Sequence, residues 1–131
     1  MEKIEYIKDN DTLLAIIVYA DNKSEGVNFI TPDDFPLQLG ILNFPSQHKI
    51  QPHIHNKRKP SEQIAQEVLF VKKGRVKVNF YNDQKEYLLS KIIVKDDIIL
   101  LASGGHGFEM LEDSQMIEVK QGPFVEGQKT P

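Results

Sequence analysis

The chain has no cysteine. That excludes a disulfide framework, a thiolate metal site and a cysteine nucleophile together. It also lacks a long apolar run: the most apolar stretch, Leu13 to Ala20, is far shorter than the ~20 residues a membrane helix needs. The opening Met1-Glu2-Lys3-Ile4-Glu5 shows no basic segment followed by an apolar one, so the expectation is a cytoplasmic chain with no membrane partner. Net charge is only −3, and Lys and Glu are interspersed. Without a basic stripe to neutralise a run of phosphates, a nucleic-acid partner has no electrostatic basis. Internal repeats, low-complexity tracts, a phosphate-cradling glycine loop and a Ser-His-Asp arrangement are all missing from the sequence.

What remains is a chain of 131 residues, 40% hydrophobic and 27% charged, enough for one domain with a core of its own. Its periodicity is almost all strand. Leu13 to Ala20 is short and β-branched, as a buried strand is. Gly26 to Thr31, Leu37 to Phe44 and Ile50 to His55 read as further strands. A polar, irregular stretch follows from Asn56 to Gln66, with a turn of helix expected near Ser61 to Ala65. Glu67 to Lys73 and Arg75 to Tyr81 form a hairpin about Gly74. In its second arm Val76, Val78 and Phe80 alternate with Arg75, Lys77 and Asn79, one face buried and one wet. Tyr87 to Val94, Ile98 to Leu101, His106 to Leu111 and Gln115 to Lys120 complete the series. Strands at ~8–12-residue spacing predict an all-β sandwich or closed barrel.

Two of the chain's four histidines form His53-Ile54-His55. Residues two apart in a strand leave the same face, so both imidazoles are available to one ion. Glu67 opens a strand and offers an anionic oxygen. His106 follows the Ser103-Gly104-Gly105 turn and offers a third nitrogen. Three imidazoles and a carboxylate suit Mn, Fe, Ni, Co or Zn, with positions left open for water or substrate. Spacing does not show that the segments converge. Isolated, a His-x-His in a polar stretch is more often a pair of solvated rings.

The residues resemble the cupin superfamily, whose first motif runs G(X)5HXH(X)3–4E(X)6G. His53-x-His55 is present, and Glu67 is followed by six residues and then Gly74. A later cupin motif, roughly G(X)5PXG(X)2H(X)3N, has its counterpart in Asp97 to His106. The resemblance covers about residues 37–120. It departs from the pattern in the eleven residues between His55 and Glu67, in Gln47 standing where a glycine opens the motif, and in Met110 standing where the final asparagine falls. The resemblance implies a cupin-type double-stranded β-helix, a jelly-roll barrel. It implies one domain over residues 1–131, with strands in 1–36 and the tail 122–131 peripheral. It implies one divalent transition metal on His53, His55, Glu67 and His106.

Other residues have plainer readings. His48 reads as structural or exposed, and Lys57-Arg58-Lys59 as a solvated loop that is also placed to grip an anion. Leu69, Val71, Phe108 and Met110 line either a pocket or the core, and Glu118 in the last strand is a spare carboxylate that faces inward in one reading. The expected function is a metal-dependent enzyme acting on a small polar, oxygen-rich molecule such as a sugar or sugar-acid derivative. Two alternatives stand beside it: a metal-free sugar-nucleotide epimerase or ketoisomerase with histidine bases, and a ligand-binding module without turnover. Exposed strand edges predict a homodimer.

Overall fold

A computed structural model of the chain describes residues 3–53, 55 and 65–122. Among the described residues there are ten strands and no helix: β1 (Ile4–Asp9), β2 (Thr12–Val18), β3 (Gly26–Phe29), β4 (Gly40–Asn43), β5 (Glu67–Lys73), β6 (Arg75–Tyr81), β7 (Tyr87–Val94), β8 (Ile98–Leu101), β9 (Gly105–Met110) and β10 (Gln115–Lys120). Hence no helix there is long and apolar enough to cross a membrane. The protein is all-β.

The strands form a five-stranded sheet in the order β1-β2-β8-β5-β10, a three-stranded sheet β7-β6-β9 and a two-stranded sheet β3-β4. Every pairing is antiparallel. The two larger sheets face each other across one core. Val76, Val78, Phe80 and Ile93 come from one side, and Ala15, Ile17, Leu69, Val71, Ile99 and Leu101 from the other. The alternation along β6 follows directly, since side chains with a period of two put every second residue into this core.

The five-stranded sheet is covered on its other face too. Ile16, Leu100 and Ala102 are buried there beneath Ile30, Phe35, Leu37 and Leu39. Strands β2 and β8 are therefore dry on both faces, which is why Leu13-Leu14-Ala15-Ile16-Ile17-Val18 and Ile98-Ile99-Leu100-Leu101 are unbroken apolar runs. This corrects the expectation that residues 1–36 are peripheral. The N-terminal strand β2 is an inner strand, and Ala15, Ile16 and Ile17 are fully buried. β1, which the sequence reading did not assign, flanks it. A register shift at Ile7/Lys8 inserts Leu14 as an extra residue, turning both Leu14 and Ala15 into the inter-sheet core.

Leu37 to Phe44 is strand only over Gly40–Asn43, because Leu37 and Leu39 are spent covering the sheet. Ile50 to His55 is corrected as well: its described residues form no strand and are exposed. Pro52 has no N–H to give to a ladder, so the stretch is a poor central strand. The turn of helix expected near Ser61 falls almost entirely outside the described residues, as does most of the tail.

Candidate functional site

Glu67 is the first residue of β5. Opposite it stand Leu101 of β8 on one side and Lys120 of β10 on the other. Glu67 shares its face with the core residues Leu69 and Val71, so the side chain points between the sheets. The residue before it is clamped. Gln66 is buried, its backbone N–H donates to Gln121 Oε1 at 3.1 Å, and its own Oε1 accepts from the Leu37 N–H at 3.4 Å.

His106 reaches the same place from the other sheet. It pairs with the buried Phe80 of β6, and Phe108, next on its face, packs against the core. Gly104 makes the approach possible. It adopts φ +73°, and a Cβ there would lie 2.6 Å from the Tyr81 carbonyl oxygen, so only glycine brings the chain this close to the end of β6. The result is a contact of 3.1 Å between His106 Nε2 and Glu67 Oε1, one residue from each sheet, with side chains 27% and 21% exposed. The pair is sheltered on its core side and still open to solvent.

The carboxylate offers only acceptors, so a neutral His106 ring donates Nε2–H to Glu67 and keeps its lone pair on Nδ1. The spacing also suits a second use. Two atoms ~2.1 Å from one ion at adjacent coordination positions stand about 3 Å apart.

His53 and His55 lie in the exposed segment before residue 56. Their rings meet edge to face, centroids 4.8 Å apart. His53 Nδ1 sits 2.8 Å from the Gln51 carbonyl oxygen, so Nδ1 carries the proton and Nε2 the lone pair of a neutral ring. The four residues singled out by the sequence are thus joined as two pairs. Among the described residues no three His, Asp or Glu side chains gather closely enough to hold a metal ion.

The remaining candidates fall elsewhere. His48 stacks on Phe44 with ring centroids 3.9 Å apart and is exposed. Lys57, Arg58 and Lys59 lie outside the described residues. Leu69 and Val71 are core, whereas Met110 is 51% exposed.

A second polar cluster escaped the sequence reading. Tyr19 donates to Glu5 Oε1 at 2.6 Å, and Lys91 Nζ lies 2.8 Å from Glu5 Oε2. Glu5 and Tyr19 border a cleft of about 640 Å³ lined also by Asp97, Ile92 and Val94. The hydrogen bonds from Lys91 and then Tyr19 hold the Glu5 carboxyl below its usual range. Burial, followed by the hydrogen bond to Glu5, pushes the Tyr19 phenol up. One signal was available: Lys91 occupies the same strand parity as Leu89 and Ile93, a charge at an inward position.

No family model, curated protein or solved structure matches this chain. Its class therefore rests on its own architecture: an all-β protein of two facing antiparallel sheets, with a carboxylate–imidazole pair bridging them at one end.

Proposed function

We propose that the chain is a cupin-type jelly roll acting on a small, polar, oxygen-rich molecule, with Glu67 and His106 as its chemical centre. The observation that carries this is the 3.1 Å contact made by those two side chains from opposite sheets. Strand pairing supports the jelly-roll part. β5 pairs with β10 and β6 with β9, while β7 and β8 are joined by the turn at Asp96-Asp97, so the pairings are nested about that turn. Nested antiparallel pairing is what a wound two-stranded ribbon requires.

In the form favoured by the sequence motif, Glu67 and His106 hold a divalent Mn, Fe, Ni, Co or Zn ion, and His53 and His55 are the remaining donors. Such an ion would polarise a substrate oxygen and stabilise negative charge beside it. Glu67 and His106 fit adjacent positions about an ion. His53 and His55, as the structure has them, do not share that point. That separation favours a second form without metal, in which Glu67 fixes the His106 ring and the lone pair on Nδ1 accepts a substrate proton.

Elemental analysis of protein purified without added metal tests the choice. One equivalent of ion, lost in Glu67→Gln, His106→Ala and His53→Ala alike, supports the metal form. Metal-free protein that takes up no Mn2+, Ni2+ or Zn2+ in calorimetric titration overturns it. A chelator-insensitive reaction abolished by His106→Ala then supports the second form.

The reading extends to a cytoplasmic homodimer. The cysteine-free sequence supports the compartment. The sheet β3-β4 supports the dimer: Val27 and Leu42 are directly opposed, Phe29 shares their face, and the three are 51%, 53% and 60% exposed.

A further inference from the structure

We infer that Lys120 recognises the anionic group of the molecule handled at Glu67 and His106, so that this molecule carries a carboxylate or phosphate beside its hydroxyl groups. The inference rests on the proposed function and narrows its substrate class.

The register places Lys120 there. β10 pairs with β5 so that Lys120 stands opposite Glu67, Glu118 opposite Leu69 and Met116 opposite Val71. Directly opposed residues of an antiparallel pair project from the same face of the sheet. Leu69 and Val71 face the inter-sheet core, and Met116 packs against it. Lys120 and Glu118 therefore leave β10 on the inner face as well, although both are exposed. They are exposed because β10 is the outermost strand of its sheet and β9 the outermost strand of the other. The inner face at the end of β10 lies beside Glu67, which meets His106 of β9.

Lys120 shares its face with two carboxylates, Glu67 and Glu118, and is the one cation among the three. Glu67, its immediate neighbour across the strand pair, is engaged by His106. Among the described residues, the ion pairs are Lys3–Asp21, Lys77–Glu109, Lys91–Glu5 and His106–Glu67, and none includes Lys120. The strand end is held in place by the following residue, Gln121, whose Oε1 accepts the Gln66 N–H. A tethered backbone carrying a long, flexible ammonium suits a terminal carboxylate or phosphate, which needs a point charge and no fixed fork. Glu118, two residues earlier on the same face, repels a second anion and accepts hydrogen bonds from hydroxyl groups. The site thus orients a molecule with an acid group at the Lys120 end and hydroxyl groups toward Glu118.

The test uses the full chain, ¹⁵N-labelled and treated with chelator, titrated with D-gluconate, D-sorbitol and inorganic phosphate. Gluconate and sorbitol share one polyol skeleton and differ in a carboxylate at the end. Gluconate is expected to move the His106 ring nitrogen signals and to bind about tenfold or more tightly than sorbitol, the scale of a charged hydrogen bond. Lys120→Gln abolishes that preference and Lys120→Arg keeps most of it. Phosphate that moves the same signals while gluconate does not assigns the acid group as phosphate, provided that Lys120→Gln removes the response. Lys120→Gln that binds either anion as the wild type does overturns the inference and leaves the reading of Glu67 and His106 intact. No response to either anion overturns it too. Binding that moves Lys120 but not the His106 ring sinks both, because the anion then sits away from the pair.

Discussion

Lys91 of β7 and Glu5 of β1 meet at 2.8 Å, joining the outermost strands of two different sheets. Each side chain occupies an inward position, with Leu89 and Ile93 beside the lysine and Ile7 beside the glutamate. An inward charge on an edge strand discourages that edge from pairing with another chain, and here the two opposite charges neutralise each other. Tyr19 completes the seal by donating to the other Glu5 oxygen.

This pair makes acid stability depend on Glu5. Its folded pKa lies below the usual value because Lys91 and Tyr19 hydrogen-bond the ionised form. The unfolded chain therefore takes up the proton first as pH falls. The contribution is present in full above the unfolded value of ~4.3 and is lost as pH drops through the folded value. Urea unfolding measured from pH 6 to pH 3 is expected to show Glu5→Gln losing less stability over that range than the wild type. Equal slopes for the two proteins would contradict the assignment.

Asp97 is a buried polar tie between two parts of the fold. It is 3% exposed, accepts the Val94 N–H at 2.7 Å and the Ala20 N–H at 3.0 Å, and so links the β7–β8 turn to the end of β2. Asp97→Ala leaves the Val94 and Ala20 backbone donors without their partner at the edge of the cleft. The expected loss is about 2–4 kcal/mol by urea denaturation, with Asp97→Asn losing less because one acceptor oxygen survives.

Gly104→Ala tests how His106 is positioned. The new Cβ meets the Tyr81 carbonyl oxygen in a left-handed backbone conformation. About 1–2 kcal/mol of stability should be lost, and the His106 ring signals should shift even though residue 106 is unchanged. A ring environment identical to that of the wild type would mean that the turn does not set the histidine's place.

The dimer is tested on β3-β4. Leu42→Lys places a charge on the exposed apolar face shared with Val27 and Phe29. Light scattering at tens of micromolar, on the order of working concentrations for weak dimers, is expected to show a dimer for the wild type and a monomer for the variant. A monomeric wild type would remove the proposal.

The second half of the chain was legible because marked turns separate its strands and β6 alternates between a buried and a wet face, although β8 is dry on both. Glu67–Lys73, Arg75–Tyr81, Tyr87–Val94, Ile98–Leu101 and Gln115–Lys120 have the limits that alternation and turn residues predict. The first half was harder to read. β1 has a mixed pattern, Ile-Glu-Tyr-Ile-Lys-Asp, because its inward positions include Glu5, whose burial is compensated by a lysine far along the chain. Leu37 and Leu39 looked like strand residues because apolar cover and strand need the same side chains. Of the candidate site, Glu67 and His106 were identifiable as residue types at particular strand positions, but nothing local states that they touch. His53-Ile54-His55 has the alternation of a strand, and Pro52 denies it a ladder partner.

Residue order alone makes this an all-β chain without thiol chemistry and marks where most turns fall. Side-chain period, apolar burial and backbone preference act over a few residues, so they can be read locally. That β2 lies inside, that Lys91 meets Glu5 and that His106 meets Glu67 while His53 and His55 stand apart emerges only in the folded core. Those outcomes depend on which strands become neighbours, and that choice is made by the packing of the whole core rather than by any one segment.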